Sequence, residues 1–155
     1  MLKLTWIEFL LRTIPESFVI IFGIYVISKQ PMNKHKYILC SISSALVTFS
    51  VRYLPIHFGI HTIISTVFTV SALIVVGIPL LKSIFGVILT TFLLLVGELI
   101  NIIILNIFKI NIDSTFKNPF IKCTLELPSL IFLIVTILLI RFLIIRKEGE
   151  NGVYN

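Results

Sequence analysis

Arg12 and Glu16 stand four residues apart, a spacing that puts both on one face of a helix. His57 and His61 repeat it, and Asn101 follows Glu98 by three residues. Arg52 lies five residues before His57. All of these lie in or beside long apolar runs, where an ionisable side chain costs roughly 3 kcal/mol and marks a functional site or a paired charge. Carboxylates such as Glu16 and Glu98 accept hydrogen bonds or cations, and guanidinium groups such as Arg12 and Arg52 clamp carboxylates or phosphates. An imidazole pair can share a metal ion or titrate near neutral pH. The set predicts recognition of a small ligand by Arg12, Glu16, Arg52, His57, His61, Glu98 and Asn101.

Bond-breaking chemistry is not expected. No phosphate loop, dinucleotide fingerprint or zincin motif occurs. A metal shared by His57 and His61 would need a further ligand such as Glu98, and histidines near a helix start more often hydrogen-bond at the interface, so no metal and no cofactor is assigned. Cys40 and Cys123 fall at opposite ends of the predicted bundle, which argues against a disulfide and against a Cys40–His pair. Cys123 shares a side with His61, but no protease motif accompanies it. The expectation is a protein that is not an enzyme.

The elements that position these residues follow from composition. Of 155 residues, 57% are hydrophobic and 13% charged, and the mean hydropathy is +1.11. Soluble domains carry roughly a quarter charged residues, so lipid must solvate most of this chain. At about 20 apolar residues per span, the chain fits about five transmembrane helices, predicted near 5–28, 37–53, 57–78, 83–108 and 127–145. The fold class is an all-α integral membrane bundle, one domain over residues 1–147, with a short cytoplasmic tail at 148–155. Pro15 leaves open whether the first helix is broken or kinked. Serines 41, 43, 44 and 50 predict that the second helix is central, because small residues let helices approach closely. Lys109 to Glu126 reads as the one sizeable loop. Neither an internal repeat nor a heptad pattern is visible. Glu8, Arg12 and Glu16 in the first apolar run argue against a cleaved signal peptide, and Leu39 argues against Cys40 as a lipid anchor.

The net charge of +6 sits in short clusters beside apolar spans, at Lys29, Lys34 and Lys36, at Lys82, and at Arg146 and Lys147. That is topogenic charge, not a nucleic-acid surface, and it predicts N-out, C-in in the cell membrane. Glu98 is then about 24 Å along its helix from the inner end. Four helices place polar groups in the outer half of the bilayer, as an outward pocket, as ion pairs gluing the helices, or as both. Arg141 is the exception, near the inner end of the last helix.

Three stretches carry a resemblance: Ile14-Pro15-Glu16, the turn from Arg52 to Thr62, and Asn118-Pro119 followed by Leu127-Pro128-Ser129. They resemble small multi-span membrane proteins of low-GC Gram-positive bacteria, similar to the N-terminal membrane input regions of sensor histidine kinases. The many isoleucines and few alanines fit an AT-rich genome. The resemblance implies a sensory membrane domain. Because no kinase domain follows Lys147, the domain is expected to stand alone and to act through a protein partner. Two further classes fit the same composition. One is a substrate-capture subunit of a transporter, with an energising module as partner, although the first helix lacks the spaced small residues such subunits use for docking. The other is a membrane immunity or accessory protein. A homo-oligomer is compatible with all three.

Overall fold

The computed structural model describes residues 6–53, 58–108 and 119–151. Among them the chain is helical, in five long segments: α1, Trp6–Ser28; α2, Lys34–Tyr53; α3, Phe58–Val76; α4, Leu80–Ile107; and α5, Pro119–Asn151. Three of these, α1, α4 and α5, are long and apolar enough to cross a membrane, and α3 contains a shorter apolar stretch, Ile60–Val76. Large apolar side chains cover the outside: Val75, Leu81, Leu95 and Phe142 are exposed along the bundle flanks. In water that surface would drive aggregation. In a bilayer it is the solvated face.

Helix α1 is not broken at Pro15. Its first part, Trp6–Glu8, passes through a single wide π turn, Phe9–Thr13, into the α-helical Ile14–Ser28. The Ile14 N–H reaches back to the Phe9 carbonyl to close the turn. Pro15 has no N–H to offer the preceding turn, and the wide turn ends where the proline begins, so the helix absorbs the proline without a break. The extra residue rotates Glu8 and Arg12 relative to the rest of α1.

The centre of the bundle is α1, not the serine-rich α2. Helix α1 packs against α2, α4 and α5, whereas α2 packs chiefly against α1 and α3. Ser41, Ser43 and Ser50 spend their hydroxyls on the carbonyls of Tyr37, Cys40 and Leu46 in their own helix. Two cores flank α1. Ile21, Ile24 and Tyr25 meet Cys40, Leu73 and Val87 on one side, and Leu94, Leu133 and Ile137 pack on the other.

Helix α4 does carry a heptad, marked by a row of small and polar residues. Ser83, Thr90 and Gly97 form one buried row, and Val87, Leu94 and Asn101 the other. In an all-apolar helix the apolar positions cannot mark the interface, and the small ones do. A Cβ at Gly97 would stand 3.0 Å from Phe132 Cδ1 and 3.1 Å from the Ser129 carbonyl, so α4 and α5 nearly touch there.

The stretch read as a loop to Glu126 is helical from Pro119 onward, and α5 also extends past Ile145 through Arg146 and Lys147 to Asn151. A proline at the first helical position loses no intrahelical bond. Pro128 lies inside α5, and side chains satisfy the carbonyls near it: Asn101 Nδ2 donates to Leu125 O at 2.7 Å, and Ser129 Oγ to Glu126 O at 2.7 Å. Neighbouring groups of this kind let a membrane helix tolerate proline. Helix α2 begins three residues earlier than predicted, at Lys34, and α4 begins directly after Pro79.

Candidate functional site: an arginine held by three helices

Arg12 is the hub. Its guanidinium meets carboxylates from three helices: Glu16 of α1 (Nε to Oε2, 3.6 Å), Glu98 of α4 (Nη2 to Oε1, 2.6 Å) and Glu126 of α5 (Nη1 to Oε2, 2.5 Å). A planar fork with donors on three nitrogens suits such divergent partners, and a lysine would not. Beside it, Lys122 Nζ donates to Glu8 Oε1 at 2.8 Å, a second tie between α1 and α5. Glu8 is buried and Lys122 nearly so, with side chains 8% and 13% exposed.

Local structure places each group. The π turn aims Glu8 and Arg12 inward. Gly97 and the Asn101 bond to Leu125 O draw α4 onto α5, so that Glu98 and Glu126 converge on one guanidinium. Aromatic rings close the flank: Phe9 packs tilted against Phe49 of α2 at 4.5 Å between centroids, and the exposed Trp6 lies 5.2 Å from Phe49. A tryptophan at this level is typical of the membrane–water interface.

Of the sequence-predicted residues, Arg12, Glu16 and Glu98 meet directly, and Asn101 braces the backbone beneath them. Arg52, exposed at the end of α2, is within electrostatic reach of Glu16. His61 is half-buried in the first turns of α3, at the same end of the bundle. His57 lies outside the described residues. Glu8, Lys122 and Glu126 were not anticipated. The signal for the last two was present, since Lys122 and Glu126 are spaced for one helix face. Cys123, buried beside them and free, feels the charges of Glu8, Glu126, Arg12 and Lys122. Among the described residues no group of three or more His, Cys, Asp or Glu side chains is arranged to hold a metal ion.

No family model, curated protein or solved structure matches this chain. The chemistry of the cluster therefore carries the functional reading.

That chemistry is rich in carboxylates. Among the described residues, Glu8, Glu16, Glu98 and Glu126 gather around the cations Arg12 and Lys122. The chain has seven acidic residues, so most of its negative charge is gathered at one spot inside an apolar bundle. Arg52 adds a further positive charge within reach of Glu16. A site this rich in carboxylates favours protons or a cationic group, because uncompensated charge in a low-dielectric region is strongly disfavoured.

Proposed function

We propose that this chain is a sensory or ligand-binding membrane domain, spanning the cell membrane five times with its N-terminus outside, and acting through a protein partner. The observation that carries this reading is the Arg12 hub, where one cation joins carboxylates on three helices within a carboxylate-rich cluster. A cationic ligand entering from the outer side would compete with Arg12 for Glu98 and Glu126. Release of Arg12 would uncouple α1 from α4 and α5, and the far ends of those helices would pass the change to the partner. A two-state element biased by a ligand's differential contacts is what a sensor requires. The cluster of Lys29, Lys34, Lys36, Lys82, Arg146 and Lys147 at the end opposite the hub supports the N-out orientation.

The same geometry favours a second reading. Each member of the hub already has a partner, so the cluster can serve as a permanent fastening of the bundle.

Native mass spectrometry of the full chain, extracted in its own lipids, separates the two. The sensory reading expects a small basic molecule that co-purifies with the wild type and is lost in Glu98→Gln, together with a signalling protein. A nutrient with an ATP-driven module would move the assignment to transport. Wild type and Glu98→Gln both recovered bare would leave only the fastening.

A further inference from the structure

At the opposite end of the bundle a groove of about 440 Å³ opens between α1 and α5. Phe22 and Val26 of α1 and Ile144 and Ile145 of α5 form apolar walls, and Lys29 and Arg141 bring positive charge from both sides. We infer that this groove binds an anionic phospholipid, its phosphate between Lys29 and Arg141 and an acyl chain along the apolar walls.

Arg141 is the starting point. It lies six residues before the end of the apolar span Phe120–Lys147, about 9 Å inside it, with the apolar run Phe142 to Ile145 between it and Arg146. A cation at that depth needs a counter-charge. Among the described residues Arg141 has no ion pair or hydrogen bond. The carboxylates of the hub are out of reach, since Glu126 is fifteen residues back along the same helix, about 22 Å. Among the described residues the groove is lined by an arginine, a second cation and apolar walls, and by no acidic side chain. A lipid phosphate supplies the missing charge, and its chain matches the walls. Free phosphate would satisfy the charge alone.

Lys29 adds an independent observation. It ends α1 in the left-handed conformation, φ 51°, with its N–H turned back to the Tyr25 and Val26 carbonyls. Glycine is the favoured residue there, and a side chain costs about 1 kcal/mol. A lysine at that position keeps a charge at the groove mouth at the expense of backbone ease. The inference rests on immersion of α1 and α5 in a bilayer, and is independent of the role of the Arg12 hub.

The test is lipid retention by the purified full chain in neutral detergent, read by native mass spectrometry with phosphatidylglycerol and phosphatidylcholine as probes. Wild type should retain phosphatidylglycerol selectively. Arg141→Gln and Lys29→Gln should each weaken that retention about fivefold, Arg141→Lys should restore most of it, and Lys82→Gln, the same charge change outside the groove, should leave it unaltered. If Arg141→Gln fails to fold, Lys29→Gln alone decides. Equal retention of the two lipids, an equal effect of Lys82→Gln, or displacement of the lipid by millimolar inorganic phosphate would overturn the lipid assignment.

Discussion

Arg12 faces three carboxylates, so deleting the cation and deleting one anion should have unequal effects. Arg12→Gln leaves Glu16, Glu98 and Glu126 opposing one another and should destabilise the bundle by about 3–5 kcal/mol. Glu98→Gln leaves Arg12 two acceptors and relieves part of the repulsion among the carboxylates, so its loss should be clearly smaller. Equilibrium unfolding in mixed micelles measures both, and equal losses would show that the hub acts as simple pairs. Much of this cluster was legible in the sequence. Constant rise per residue is enough to bring Arg12, Glu16 and Glu98 to one depth, and the i, i+4 rule puts the first two on one face. Glu126 and Lys122 were hidden because Asn118-Pro119 read as loop punctuation and the last helix was begun only at Leu127, beside Pro128. Proline at a helix start and proline buffered by Asn101 and Ser129 leave no such break, and only tertiary contacts reveal the second case. Glu8 was hidden by the π turn, which alters the phase of α1 in a way no uniform helical wheel anticipates.

Close approach of α4 and α5 is what brings Glu98 and Glu126 within reach of one side chain. Gly97→Leu tests this at the level of the element. Its side chain would meet Phe132 and the Ser129 backbone, and because a backbone carbonyl cannot rotate away, the helices must separate. The expected loss is about 1–3 kcal/mol, with weakened coupling between Arg12 and Glu126 in a double-mutant cycle. Unchanged stability would mean that this contact does not hold the two helices together. The five helices were readable from apolar runs and prolines to within a few residues, apart from the two ends of α5. Their arrangement was less so. Serines on α2 looked like interhelical contacts, yet most are engaged with their own backbone, as membrane-helix hydroxyls can be. The row that does mediate packing, Ser83, Thr90 and Gly97, sits in a helix so apolar that no hydrophobic periodicity stands out.

On the scale of the whole molecule, the buried carboxylates of the hub sit apart from the cation clusters that flank the spans. The described carboxylates of the hub lie at one end, and Lys29, Lys34, Lys36, Lys82, Arg146 and Lys147 at the other. The proposed sensor joins these ends through α1, which contacts both cores and carries Arg12 near its start and Lys29 at its finish. If the hub is the two-state element, weakening it must move the start of α1 away from α5. Double electron–electron resonance between labels at the exposed positions Leu10→Cys and Phe120→Cys, with Cys40 and Cys123 replaced by serine and the protein in lipid nanodiscs, reads that distance directly. The account predicts one narrow population in this background and a second, longer one when Glu98→Gln and Glu126→Gln are combined. A single unchanged distance in both would contradict it, and would leave the cluster as a fixed brace.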